Sequence, residues 1–217
     1  METDWKKLAD IARSRATIYG LLTAVFREVP TEALIEELRG PRFSGALSEM
    51  GMDLGDDFYV APTSTIVDQM TVEFTRLFIG PGQHISAHES IFVDLDGGRG
   101  GLWGPKTVEV KKFIETTGLE YATQYTGLPD HVSVELEFMQ RLASLEAEKW
   151  GRGDRQGAEY CLSVQRLFLE QHLLSWLPVF CDQVILQAEL PFYLAMAELT
   201  KDYMTFERQR SLTVTAA

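Results

Sequence analysis

The stretch that decides the fold class is residues 127–145, GLPDHVSVELEFMQRLASL. Apolar residues recur there at helical spacing along one side, directly after a Pro-Asp-His corner. Pro129 holds the residue before it in extended backbone, and an Asp at a helix start accepts a hydrogen bond from a first-turn amide. We therefore predict a long helix over 130–149, with Asp130 as its N-cap and His131 as a first-turn surface residue.

The same corner has a second interpretation. Asp130 and His131 are polar side chains beside an apolar helix face, which suits recognition of a peptide better than chemistry on a small molecule. The two roles are compatible, because a capping carboxylate can also orient the neighbouring imidazole. An ordinary histidine pKa near 6.5 would place any pH dependence of binding between about 5.5 and 7.5.

Helical periodicity extends over most of the chain, and the segment 90–95 is a single isolated strand candidate. We predict an all-α single domain, 1–217, in which a long Gly-rich loop over 79–105 separates an N-terminal helical set (about 1–78) from a C-terminal set (106–210). The predicted helices cover about 4–27, 32–39, 44–50, 63–78, 106–117, 130–149, 154–172, 178–187 and 191–208; residues 51–62 are predicted as a loop, and the final residues from Arg210 are predicted to fray.

Charge and composition exclude several classes of protein. The 217 residues include 20 Lys and Arg against 32 Asp and Glu, a formal net charge of −12. Nucleic-acid binding needs clustered basic residues, and the sequence has no such cluster, whereas an acidic surface favours basic partners. The most apolar stretch is interrupted by polar residues, so no membrane span is predicted. Cys161 and Cys181 lack metal-site spacing and are expected to be buried, as in a cytoplasmic protein.

Other candidate sites are weaker. His84, His88 and Glu89 could contribute to a metal site, but their order differs from the metalloprotease motif and Pro81-Gly82 disfavours a helix there. No ordered nucleophile, base and acid can be assigned, and no motif predicts a bound cofactor. His172 lies among apolar helical positions and is expected to be a hydrogen-bonded core histidine. We expect no enzymatic activity and no metal or cofactor.

Five segments, in this order, carry a resemblance to a known family: FTRLFIGPG at 74–82, HESIFVD at 88–94, GLPDHVSVELEFMQRL at 127–142, FLEQHLLSWLPVF at 168–180 and LPFYLAMAEL at 190–199. Together they resemble the TorD/DmsD/NarJ group of redox enzyme maturation chaperones. The loop motif of this group often has Pro-Trp before the Glu-Ser pair, where this chain has Ala87 and His88.

The resemblance implies a cytoplasmic helical chaperone for the apo form of a molybdenum-containing oxidoreductase subunit. Such chaperones bind the N-terminal leader of the subunit, often a twin-arginine signal, and hold back export until the cofactor is inserted. A NarJ-like factor for a non-exported molybdoenzyme, or a small histidine-based metal protein, remains the alternative. We expect a monomer, although helical sets exchanged between protomers are plausible. The peptide-binding residues implied by the motifs are Leu77, Phe78, Pro81, Gly82, His88, Glu89, Ser90, Pro129, Asp130 and His131.

Overall fold

The computed structural model describes residues 5–49, 51–93, 101–119 and 127–214. Within these ranges the chain forms eleven α-helices and two π-helical turns, and the one β-type contact is an isolated bridge between His88 and His131. The prediction of an all-α protein is confirmed. The helices are α1 Trp5–Arg27, α2 Glu32–Arg39, α3 Pro41–Glu49, α4 Asp56–Val60, α5 Thr63–Phe74, α6 Glu89–Phe92, α7 Pro105–Thr116, α8 Val132–Gly151, α9 Arg155–Phe168, α10 Leu174–Gln187 and α11 Pro191–Val214, with π-helical turns at Thr75–Ile79 and Leu169–Leu173.

The N-terminal helices follow their capping signals. The Thr31 hydroxyl accepts a hydrogen bond from the Leu34 amide at 3.2 Å and begins α2. Helix α3 starts at Pro41, earlier than predicted, because the fixed φ of proline suits the first position of a helix. The expected loop over 51–62 contains the short helix α4.

The prediction of a helix break before Pro178 is wrong, because Pro178 lies inside α10. A proline deprives the carbonyl four residues earlier of its donor. The carbonyl affected is that of Leu174, the first residue of α10, which directly follows the π-helical turn Leu169–Leu173, and the helix continues through the proline. The chain is therefore helical from Arg155 to Gln187. Helix α11 likewise continues to Val214, past the predicted fraying point.

The Gly-rich region is only partly irregular. Its residues 89–92 form α6, so the isolated strand candidate over 90–95 is helical at Ser90 to Phe92. The last two positions of the strand candidate, 94 and 95, and the part of the predicted Gly-rich loop over 94–100 lie outside the described residues. Glu89 and Ser90 are buried rather than displayed on a loop, and this burial ties α6 to the rest of the protein.

The core takes side chains from both predicted helical sets. Helix α1 packs along α8, α8 against α9, and α10 against α11. One large apolar cluster contains residues from α1 to α11, and a smaller one joins α1, α8 and α9. In the smaller cluster the rings of Trp5 and Trp150 lie 5.3 Å apart.

A buried charged network fixes α1 against three other helices. Arg15 of α1 is 2% exposed, and its guanidinium donates to Glu207 of α11 at 2.7 Å and to Glu146 of α8 at 2.7 Å. The same group donates to Gln165 of α9, and the Tyr19 hydroxyl donates to Glu207 at 3.1 Å. Although burial opposes ionisation of Glu207, the hydrogen bond from Arg15 holds its pKa below the ordinary value. No helix among the described residues is long and apolar enough to cross a membrane.

Candidate functional site

Two of the segments singled out from the sequence meet in the structure. The Glu89 amide donates to the Asp130 carbonyl at 3.0 Å, and the Val132 amide donates to the Ala87 carbonyl at 2.8 Å. These two bonds form the antiparallel bridge at His88 and His131. We call this junction of residues 87–92 with residues 128–133 the corner site.

Asp130 caps a different helix from the one that the sequence predicts. It is fully buried, and its Oδ2 accepts a hydrogen bond from the Ser90 amide in the first turn of α6 at 3.0 Å. Helix α8 begins at Val132, and its N-cap is His131, whose Nδ1 accepts from the Ser133 amide at 3.2 Å. The prediction that Asp130 caps α8 is therefore wrong. The Pro-Asp turn directs the carboxylate away from α8 and toward the free amides of α6.

The two histidines of the corner site lie edge to face, with ring centroids 5.0 Å apart. Both side chains are partly buried. Burial lowers the pKa of His131 to about 4, and the neighbouring His88 adds to this effect. Burial also lowers the pKa of His88, against the opposing charge of Asp130. Both imidazoles are therefore neutral near pH 7, and the titration of His131 lies below the window of 5.5 to 7.5 expected from an ordinary histidine.

Glu89 holds the corner site to neighbouring helices through its buried carboxylate. It is fully buried, and its carboxylate lies 3.0 Å from Nδ1 of His172 and 3.4 Å from Nζ of Lys106. The Ser175 hydroxyl donates to it at 3.3 Å. The expectation of a hydrogen-bonded core histidine at position 172 is confirmed. The carboxylate of Glu89 thus binds groups on α7, on the π-helical turn Leu169–Leu173 and on α10, and it holds α6 to all three.

A second buried carboxylate, Glu135, lies in the same region and was missed by sequence reasoning. The Trp176 indole donates to its Oε2 at 3.1 Å. Complete burial, together with the charge of nearby Glu89, raises the pKa of Glu135 well above its ordinary value. The signal in the sequence was a charged residue at an inward position of the apolar helix face that follows Val132. Sequence reasoning also missed buried Lys106, which lies in the first turn of α7.

The Leu-Phe-x-Gly-Pro segment is connected to the corner site through aromatic rings. Leu77 is fully buried, and its carbonyl accepts from the Ile85 amide at 2.7 Å. The ring of partly buried Phe78 stacks against Phe180 with centroids 6.0 Å apart, and Phe180 also contacts Phe92 of α6 at 6.2 Å. Pro81 and Gly82 are exposed. Pro129 is buried beside Asp130.

The hypothesis of a histidine-based metal site finds no support in the geometry. Among residues 5–49, 51–93, 101–119 and 127–214, no three His, Cys, Asp or Glu side chains are grouped to hold a metal ion. His84 is exposed, and Glu89 is bound to His172 and Lys106. Cys161 and Cys181 are buried and free, as the sequence predicts.

Comparison with known proteins identifies the family. The family model described as nitrate reductase delta subunit matches residues 53–182, which is more than half of the chain and includes the whole corner site. The chain belongs to this family. It is therefore a redox enzyme maturation chaperone of the TorD/NarJ type, for molybdoenzyme maturation, and not an enzyme.

Individual relatives agree with this assignment. The chain is 24% identical over 197 residues to the chaperone protein TorD of Photobacterium profundum, covering 85% of this chain and 88% of that protein. It is 30% identical over 97 residues to a perchlorate reductase assembly chaperone of Dechloromonas aromatica, covering 45% and 42%. A protein described as a redox enzyme maturation protein from Archaeoglobus fulgidus shares the fold, with a TM-score of 0.55 and 18% identity over 88% of this chain and 93% of that chain.

Proposed function

We propose that this chaperone binds the N-terminal leader peptide of an apo molybdenum-containing oxidoreductase subunit at the corner site. It acts in the cytoplasm and holds the subunit back from export until the cofactor is inserted. The observation that carries this proposal is the backbone pairing of residues 87–89 with residues 130–132. It joins two family motifs that are far apart in the sequence.

The motif residues divide into two groups by burial. Leu77, Glu89, Ser90, Pro129 and Asp130 are buried and serve to hold the corner site in place. The accessible surface comes from partly buried Phe78, His88 and His131 and from exposed Pro81 and Gly82.

This accessible surface suits the apolar part of a leader peptide. Neutral imidazoles and a partly buried phenylalanine offer apolar and aromatic contacts, and Ile91 of α6, 38% exposed, extends them. A leader that buries about 500 Å² of apolar surface gains roughly 12 kcal/mol before costs. Ordering the peptide and losing its free motion offset part of this gain, which leaves affinity of about micromolar order. Binding of that strength permits release of the client.

A charged residue on this surface tests the proposal without touching the buried network. Ile91→Asp places a carboxylate on the exposed side of α6, where an apolar leader segment would have to desolvate it. Leu167→Asp on α9 is the matched control, since Leu167 is 40% exposed. Isothermal titration with a synthetic twin-arginine leader should give about micromolar binding for the parent and for Leu167→Asp, and at least tenfold weaker binding for Ile91→Asp. Equal binding by all three proteins would contradict the site, and no binding by the parent to any molybdoenzyme leader would contradict leader binding.

Two further features of the client and of the assembly belong to the same proposal. If only the N-terminus of a non-exported molybdoenzyme subunit binds, the chaperone is a NarJ-like assembly factor that uses the same site.

We also propose that the chain is a monomer. Light scattering over a concentration series should give the mass of one chain, 24.5 kDa, and a constant dimer mass would contradict it.

A further inference from the structure

A concave surface lies away from the corner site, where α4 and α5 meet the start of α11. The cleft has a volume of about 440 Å³. Its base is apolar, because buried Phe58, Met70 and Phe192 line it, and partly buried Leu190 and exposed Pro191 supply the accessible apolar surface. The rings of Phe58 and Phe192 stack with centroids 5.8 Å apart, which gives the cleft a rigid aromatic wall.

Carboxylates stand at the rim of this cleft. Asp56 and Asp57 both line it and are exposed, and in the part of the chain that the structure describes neither forms an ion pair. A third carboxylate, Asp53, lies close enough to act with burial in raising the pKa of Tyr59. The combination of an apolar base and an anionic rim complements a basic side chain next to a bulky apolar one.

Arg39, the cation that contacts an aromatic ring of the cleft, makes its bonds away from the rim carboxylates. Arg39 contacts the ring of Phe58, with its guanidinium carbon 5.7 Å from the centroid. Its N–H groups donate to the carbonyls of Phe58 and Ala61, each at 2.7 Å, and to the Thr63 hydroxyl at 2.9 Å. These bonds hold Arg39 to the backbone of α4 at Phe58 and to the residues that follow this helix. Asp56 and Asp57 remain available to a cation from outside the chain.

We propose that this cleft binds a positively charged residue of the client leader, together with the apolar residue beside it. This inference rests on the proposed function and adds a second contact area to it. Met70 of the cleft and Phe78 beside the corner site lie on one helical run, so about 12 Å along its axis separates them at 1.5 Å per residue. An extended peptide covers that distance in about four residues, at roughly 3.3 Å each. One leader is long enough to reach both areas.

The test combines a change in the chaperone with a change in the peptide. The double variant Asp56→Asn/Asp57→Asn removes two rim charges, and the matched control Glu198→Gln/Asp202→Asn removes two exposed charges from α11. The probes are a synthetic twin-arginine leader peptide and the same peptide with both arginines replaced by citrulline, which keeps their shape without charge. Affinities are measured by isothermal titration at low salt, because exposed charge pairs are screened at high salt.

The rim variant should bind the arginine peptide about three- to tenfold more weakly than the parent, which is the scale for two exposed charge pairs. It should bind the citrulline peptide as the parent does, and the control should match the parent with both peptides. If the parent binds the arginine peptide and the rim variant binds it no more weakly than the control does, the cleft proposal is overturned while leader binding stands. If the parent binds neither peptide, leader binding itself fails and the cleft proposal fails with it.

Discussion

Replacing Asp130 should destabilise the protein by more than the loss of an exposed helix cap. In Asp130→Ala the Ser90 amide loses an acceptor at 3.0 Å in a fully buried setting. A hydrogen bond to a charged group contributes about 1.5–3 kcal/mol, and an orphaned buried amide costs about 1–3 kcal/mol. We therefore expect the free energy of unfolding to fall by about 2–3 kcal/mol, against about 1 kcal/mol for a typical surface cap. For a chain of this size the corresponding drop in Tm is roughly 4–12 °C.

The assay is urea unfolding followed by circular dichroism, with Asp130→Asn as the control. The asparagine keeps a side-chain oxygen that can accept from the Ser90 amide, so it should lose less stability than the alanine. Hydrogen exchange should become faster in residues 85–93 of Asp130→Ala, because α6 loses its cap. A loss below about 0.5 kcal/mol in Asp130→Ala, or unchanged exchange in α6, would show that this carboxylate does not hold α6.

Three further predictions concern buried charges and pH. Arg15→Met leaves Glu146 without its cation, so the free energy of unfolding should fall by about 3–5 kcal/mol in the same urea assay; a loss under 1 kcal/mol would contradict this. Glu135→Gln should be at least as stable as the parent at pH 7, because the raised pKa of Glu135 favours the neutral acid in the folded state. A decrease of more than about 2 kcal/mol in the free energy of unfolding would mean that this carboxylate is ionised in the folded protein. The pKa of His131 is about 4 in the folded protein and near 6.5 in the unfolded chain, so protonation of this histidine favours unfolding. The free energy of unfolding should therefore decrease as pH falls from about 6.5 to about 4. His131→Gln should remove that part of the pH dependence, and an unchanged pH profile would refute the assignment.

The fold class could be predicted from the sequence because helix signals are local. The period of apolar residues predicted most helix positions, and α1 was predicted within a residue at its start. Pro178 misled the prediction because the effect of a proline depends on whether its neighbours supply other donors. Here the helix continues through Pro178, and the π-helical turn Leu169–Leu173 that leads into α10 has no sequence pattern of its own.

The candidate site could be predicted only in part. The motif order indicated which segments matter, and the structure brings residues 87–89 and 130–132 together. The role of Asp130 was predicted wrongly because an aspartate that caps the helix directly after it and an aspartate that caps a helix distant in the sequence have the same neighbours along the chain. The partners of Glu89 come from α7 and from the π-helical turn Leu169–Leu173, and their distance along the chain hides them from any rule based on spacing.

The central claim is that a client leader lies on the corner site, and photo-crosslinking tests it most directly. A synthetic twin-arginine leader with a benzophenone amino acid in its apolar segment is bound to the unaltered chaperone, irradiated and mapped by mass spectrometry. The account predicts crosslinks within residues 78–92 and at His131, which an excess of unlabelled leader removes. Crosslinks confined to other surfaces, or none that the unlabelled leader competes away, would contradict it.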